Sequence, residues 1–208
     1  MIPFNHLGPV FKAFSSLVYP RAFRTIFASS LQEVPDGGTV LDVGSGTGIL
    51  SQFAWRKRSD LMYTMIDPAP GMLKFGPGFA RKVRGRAEYL PFAEGSFDAV
   101  FAGDCLHHFN DPRKAIKEIR RVLKKDGVLT VFEIDPGSML GAVITRGERM
   151  FREPAHFYRP EELAARLAAA DFTCRISRYD WRYAIIADAG DGKSAMGHRR
   201  MMQETSPL

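Results

Sequence analysis

The sequence predicts an α/β protein: a mostly parallel sheet with helices on both faces. Two observations carry this. Short apolar runs with a strand's composition alternate with helix-spaced segments between about residues 39 and 135, the pattern of strands joined by helical crossovers. The last two apolar runs are instead joined by a short turn at Tyr179-Asp180, which makes them antiparallel and adds one antiparallel edge strand. The length, 208 residues, suits one domain with a substantial core.

In chain order, residues 9–32 carry apolar side chains three and four apart, including Phe11, Phe14, Phe23 and Phe27, and read as helix broken near Pro20. A Pro35–Gly38 turn leads into a strand at Thr39–Val43, a Gly-rich turn at Gly44–Gly48 and a helix over Ile49–Arg58. Leu61–Ile66 is a second strand, ending at Asp67. A short helix follows at Pro70–Phe75, then a weak strand at Phe79–Arg84 and a clear one at Phe97–Ala102. Pro112–Lys124 reads as a helix closed by Gly127, with basic residues in its last turn. Val128–Ile134 is a strand, and 136–158 reads as irregular. Pro160 and two acids open a helix that runs to about Ala170. Phe172–Arg178 and Trp181–Ala187 are the final strands, and the polar, Gly-rich tail is expected to be mobile.

Apolar residues make up 45% and charged residues 25%, an ordinary globular balance. The net charge of +6 permits nucleic acid, anionic lipid or an acidic substrate as partner. The basic residues are scattered, so a solvated surface is the simpler reading. Cys105 and Cys174 form no C-x-x-C pair, which argues against a disulfide framework or zinc ribbon and for a reducing, cytoplasmic setting. The N-terminal residues lack a signal peptide's pattern. No run approaches the roughly 18 apolar residues of a membrane span.

Parallel sheets bind ligands at the carboxyl ends of their strands, at the topological switch point. Four segments there carry chemistry. Asp42-Val43-Gly44-Ser45-Gly46-Thr47-Gly48 puts an acid at a strand end before three alternate glycines. Glycines admit backbone dihedrals closed to other residues and let a ligand approach. The dinucleotide fingerprint is G-x-G-x-x-G. The spacing here is G-x-G-x-G, and an acid facing the loop disfavours a pyrophosphate and suits an ammonium group. A turn with no ligand is the structural alternative. Asp67, followed by Pro68 and Met72, ends the second strand, where a carboxylate can accept from both ribose hydroxyls. Gly85-Arg86-Ala87-Glu88-Tyr89-Leu90-Pro91-Phe92 follows the third strand. Gly103-Asp104-Cys105-Leu106-His107-His108-Phe109-Asn110-Asp111-Pro112 follows the fourth.

The first of these segments resembles motif I of the class I S-adenosylmethionine-dependent methyltransferases. The third resembles the corresponding segment of the ubiquinone/menaquinone-biosynthesis branch. The resemblance is firm over about 38–135 and loose over 159–187. It implies a Rossmann-like, seven-stranded, mostly parallel sheet and S-adenosylmethionine as methyl donor, with S-adenosylhomocysteine as product. It also implies in-line displacement of the methyl group by the acceptor; a small-molecule acceptor is expected, with an apolar or aromatic one slightly favoured by the aromatic composition of the N-terminal segment. Cofactor contacts would come from Asp42, Gly44, Ser45, Gly46, Thr47, Gly48, Asp67, Pro68, Met72, Arg86, Ala87, Glu88, Asp104 and Cys105. The family usually has Asp where Arg86 stands, and Arg86 has no acceptor for the adenine amine. Either the backbone near Ala87 with a water covers that edge, or Glu88 moves in. His107 and His108 are candidate bases, although packing and hydrogen bonding within the loop is the simpler explanation of both. No metal is expected.

Residues 1–36 would then form a helical lid and 37–188 the methyltransferase domain, with a substrate-side insertion at 136–158 and a tail at 189–208. A monomer or homodimer with no stable nucleic-acid partner is expected. An RNA or protein methyltransferase, or a non-catalytic cofactor-binding scaffold, is the alternative.

Overall fold

A computed structural model describes residues 21–150 and 156–190. The sequence-predicted helix before Pro20, and the tail beyond 190, lie outside the described residues. The elements are α1 (Arg21–Ser30), β1 (Thr39–Val43), α2 (Ile49–Trp55), β2 (Met62–Asp67), α3 (Pro70–Leu73), β3 (Arg81–Arg84), β4 (Phe97–Gly103), α4 (Pro112–Val122), β5 (Leu123–Ile134), α5 (Met139–Met150), α6 (Pro160–Ala168), β6 (Thr173–Tyr179) and β7 (Arg182–Asp188).

One seven-stranded sheet has the order β3-β2-β1-β4-β5-β7-β6. Strand order reverses between β1 and β4, which pair in parallel, so the switch point lies at their carboxyl ends. β7 runs against both of its neighbours, β5 and β6, so the antiparallel pairing is confined to that end of the sheet.

Alternate residues along the strands point to opposite faces, and the core divides accordingly. Leu41, Val43, Val100, Leu129, Val131 and Ile185 pack with Ile116, Ile119, Leu163 and Leu167 of α4 and α6. Val40, Tyr63, Met65, Phe101 and Phe132 pack on the other face with Phe23 and Phe27 of α1, Leu31 just after it, and Leu50 and Ala54 of α2. Phe27 meets Phe101 edge-on at 4.3 Å between centroids.

Three elements differ from expectation. The α4 helix starts as predicted, with Asp111 Oδ1 accepting from Lys114 N–H at 3.0 Å and Pro112 at its first position. It ends at Val122 rather than Lys124. Leu123 is extended (φ −72°, ψ 139°) and buried, and it pairs with Phe97, so β5 begins there. Gly127 therefore lies within a strand, where a Cβ would stand 2.8 Å from Leu123 Cδ2. The segment predicted to be irregular contains α5. Its first turn is held by Ser138 Oγ, which accepts from Gly141 N–H at 3.0 Å. Gly141 and Gly147, poor helix formers, hide that helix in the sequence. At Gly141 a Cβ would collide with the carbonyl oxygen of Asp135, so the glycine is required by the close approach. Finally, Ala189 closes the sheet rather than opening the tail: its N–H donates to Gly127 O at 2.9 Å, and its carbonyl accepts from Arg120.

Candidate functional site

The tips of β1 and β2 are joined to each other. Ser45 N–H donates to Ile66 O at 3.2 Å and Gly46 N–H donates to Asp67 Oδ2 at 2.9 Å. Gly44, Gly46 and Gly48 have φ of 62°, 52° and 75°, a region that strains any residue with a Cβ. Packing excludes side chains too. A Cβ on Gly44 would come within 2.6 Å of Cys105 Cβ, and one on Gly48 within 2.7 Å of Met65 Cε and Pro77 Cδ. At Gly46 the nearest atom is Met72 Cε at 3.3 Å, so Met72 borders the loop.

Asp42 is oriented differently from the sequence reading. It is buried, and its Oδ2 accepts from Ser51 N–H at 3.2 Å and Ser51 Oγ–H at 2.7 Å. That oxygen anchors the first turn of α2 instead of facing the loop. Burial pushes the Asp42 carboxyl up to about 7, against the opposing pull of the Ser51 hydrogen bonds. Asp67 is where it was expected, but it braces backbone with both oxygens: Oδ2 on Gly46 and Oδ1 on Ala69 N–H at 2.8 Å. Burial raises its pKa, more than the two backbone bonds lower it. Each carboxylate oxygen keeps a second acceptor position, so these bonds leave room for a ribose. Pro68 beside it is exposed.

After β3, Ala87 and Glu88 are buried and Arg86 is exposed, its backbone bridged to Tyr89. Glu88 Oε1 accepts from Asn110 N–H at 2.8 Å and Asp111 N–H at 3.3 Å. Glu88 thus ties this segment to the loop after β4, the work of a structural clamp.

The β4 tip carries a cluster that the sequence reading only half identified. Asp104 has φ 48° and its N–H donates to Phe132 O at 2.8 Å. Arg182, at the start of β7, reaches Asp104 Oδ2 with Nη1 at 2.6 Å. Burial pushes the Asp104 carboxyl up, while Arg182 pulls it down. Cys105 is buried; its thiol donates to Val43 O at 3.2 Å and supports Gly44 from beneath. Burial, and then Glu133, Asp42, Asp67 and Asp104, push that thiol well up, so it stays protonated and inert. Glu133, near the end of β5, accepts from Leu106 N–H with Oε1 at 2.8 Å and lies 2.5 Å from His107 Nδ1 with Oε2. The His107 ring stacks on Phe157 at 4.4 Å, beside His108 at 4.1 Å.

Glu133 and Arg182 were missed because each reads as an ordinary residue of a strand. The available signal was a lone charge in an apolar run (Glu133 in VLTVFEI, Arg182 in WRYAIIA), which burial renders costly unless it is paired.

The residues present fit S-adenosylmethionine. The loop is a cradle that glycine alone permits. Thr47 Oγ1 and Asp104 Oδ1 are buried with no hydrogen-bond partner among the described residues. Four carboxylates act on Cys105 together, a field that favours a cationic ligand.

Fold and loop resemble those of the class I S-adenosylmethionine-dependent methyltransferases. Residues 41–131 match the family described as "Methyltransferase domain". Over 100 residues the chain is 35% identical to a demethylmenaquinone methyltransferase of Thermotoga maritima, covering 47% of this chain and 44% of that protein. Over 114 residues it is 32% identical to a malonyl-[acyl-carrier protein] O-methyltransferase of Laribacter hongkongensis, covering 48% and 38%. The chain thus matches less than half the length of these two relatives. The structure of a SAM-dependent methyltransferase from Thermotoga maritima, described as a possible histamine N-methyltransferase, superimposes with TM-score 0.70. It is 22% identical and covers 89% of this chain and 97% of that one. At that identity it shows the fold alone. No helix among the described residues is long and apolar enough to cross a membrane.

Proposed function

We propose that this chain transfers the methyl group of S-adenosylmethionine to a small-molecule acceptor and releases S-adenosylhomocysteine. One observation carries the reading: three left-handed glycines at the β1 tip, the middle one of which, Gly46, donates its N–H to a carboxylate at the neighbouring β2 tip.

The donor supplies a methyl already activated by positively charged sulfur, so the chain's work is binding, orientation and removal of a proton. Gly44, Ser45, Gly46, Thr47 and Gly48 would hold the amino-acid arm, with the Thr47 hydroxyl supplying a hydrogen bond. Asp67 would accept from the ribose. Pro68, Met72 and the backbone at Arg86 and Ala87 would border the adenine. Asp104 Oδ1 would face the cationic end, with Asp42 and Cys105 acting from behind the loop. His107 and His108 stand at the β4 tip, where the acceptor would meet the methyl.

The relatives' names point to different acceptors, a quinone and an acyl-carrier-bound malonyl group. The stacked Phe157 favours an apolar or aromatic acceptor. Isothermal titration with S-adenosylmethionine and S-adenosylhomocysteine tests the reading. Saturable binding of both is expected; binding of neither at millimolar concentration overturns it.

A further inference from the structure

We propose that the outer edge of β3, with the aromatic cleft at its start, is a binding site for single-stranded nucleic acid. Such a site stands independently of the methyl-transfer reading above and goes beyond it.

The net charge is concentrated along this edge. Between Asp67 and Glu88 the sequence holds five basic residues, Lys74, Arg81, Lys82, Arg84 and Arg86, and no acidic one. That stretch carries five of the six net positive charges, so the remainder of the chain is close to balanced. All five residues are exposed, and none is ion-paired with an acid among the described residues. β3 is an end strand of the sheet and pairs with β2, which leaves its outer backbone edge open among the described residues. Successive side chains leave opposite faces of a strand, so Arg81 stands on one side of that edge and Lys82 and Arg84 on the other. Charges on an edge strand also deter pairing with other strands. Either sign does that, so it does not call for a run without acids. One sign along a single strip attracts a polyanion.

The cleft says which polyanion fits. Where β3 begins, a cleft of about 420 Å³ is lined by Gln52, Trp55 and Arg56 at the end of α2 and by Phe75 and Phe79, a size within the range of small-molecule sites. Trp55 and Phe79 stack at 4.9 Å with 13° between planes, and Phe79 meets Tyr63 edge-on at 5.6 Å. The two rings remain 40% and 38% exposed. Lys82 joins the cleft to the basic strip: its Nζ donates at 2.6 Å to the carbonyl of Gly76, which is part of the cleft wall. An exposed ring backed by a second ring is a platform on which any base stacks. Gln52 and Arg56 offer hydrogen bonds to the base edge. Phosphates then match the cations, and a base matches the cleft. A bilayer would take the charges but needs apolar side chains that project into it, and these rings are held against each other. An acidic polypeptide would take the charges and leave the platform without a planar partner.

The test is fluorescence anisotropy of a labelled single strand of mixed sequence, about twelve nucleotides long, made as RNA and as DNA and titrated with the full chain. Both forms should bind, within about threefold of each other, because neither stacking nor phosphate contact reads the 2′-hydroxyl. The slope of log K against log salt should be about −2 to −3.5, the neutralisation of about three to five phosphates. Replacing both Arg81→Gln and Arg84→Gln should weaken binding at least about tenfold and flatten the slope by about 1.4. Trp55→Ala should weaken it about fivefold to a hundredfold with the slope unchanged, the loss of one stacked base. Trp55→Phe, which keeps a ring, should recover most of that loss. Far-ultraviolet circular dichroism verifies that each variant is folded. No saturable binding of either strand at about 50 mM salt overturns the proposal. So does a slope that the arginine double variant leaves unaltered, or an affinity that Trp55→Ala leaves unaltered. Equal affinity for a polyglutamate peptide of the same charge, or for phosphatidylglycerol vesicles, overturns it too, because charge alone would then be read.

Discussion

Replacing Arg182 by Met isolates the buried pair at the β4 tip. Arg182 Nη1 lies 2.6 Å from Asp104 Oδ2, with side chains 8% and 20% exposed, and its guanidinium lies over the Trp181 ring at 4.1 Å. Methionine keeps much of the packing and removes the charge. Asp104 then loses Arg182, which lowered its pKa, and keeps burial and Glu133, which raise it, against the weaker lowering influence of His107. Removing one member of a buried ion pair costs about 3–5 kcal/mol. The residual exposure of Asp104 places this case near the low end, about 3 kcal/mol at pH 8.

The sign of the pH dependence follows. An unfolded Asp titrates near 3.9, and the folded Asp104 titrates higher, so the penalty applies only to the ionised form. It is absent below the unfolded pKa and grows as pH rises through the folded one. Urea unfolding followed by far-ultraviolet circular dichroism should therefore show a smaller loss at pH 5 than at pH 8. Asp104→Asn in the same background should recover much of the loss at pH 8. Equal losses at the two pH values, with no recovery in the double variant, would refute the reasoning.

Gly48→Ala meets both a left-handed φ of 75° and two contacts at 2.7 Å. Strain of about 1–2 kcal/mol and overpacking of about 1–3 should together lower unfolding stability by about 2–5 kcal/mol in urea; a loss under about 0.5 contradicts the packing account. Asp67→Ala should weaken donor affinity about tenfold to a hundredfold by titration, the loss of charge-assisted hydrogen bonds and of a brace on Gly46. Unchanged affinity removes Asp67 from the site. Asp42, raised from 3.8 to about 7 by burial, should add stability as pH falls from 8 towards 5. The full linkage is about 4 kcal/mol for about three units. Asp42→Asn should flatten that slope, and an unaltered slope assigns it elsewhere.

The glycine loop and Asp67 were legible because their constraints are local. A Cβ-intolerant turn and an acid at a strand end are written in consecutive residues. The α4 start was legible for the same reason, through Asp111-Pro112. What escaped depends on distant partners. Leu123 is extended because Phe97 pairs with it, which no helical pattern in the α4 segment could report. Asp42 was assigned to the ligand because the sequence does not reveal that Ser51, nine residues on, turns back to meet it. The Asp104–Arg182 pair spans 78 residues and His107–Glu133 spans 26. Each exists because β4, β5 and β7 end side by side, and sheet order is a tertiary fact.

The same placement predicts how protons move when the donor binds. Asp42, titrating at about 7, is roughly half ionised at neutral pH, and Asp67 also titrates above its ordinary value. S-adenosylmethionine carries a positive sulfur and an ammonium group, and a cation near a carboxylate favours its ionised form. Binding should therefore release protons, up to about half a proton from Asp42 at pH 7, and affinity should rise between pH 6 and pH 8. Calorimetric titration at pH 7 in buffers of different ionisation enthalpy measures the release directly. S-adenosylhomocysteine, without the sulfonium charge, should release less, and Asp42→Asn should suppress most of the effect. Binding heats independent of the buffer would mean that the carboxylates behind the glycine loop do not sense the ligand's charge, and electrostatic selection of a cation would then no longer explain why acids are buried there.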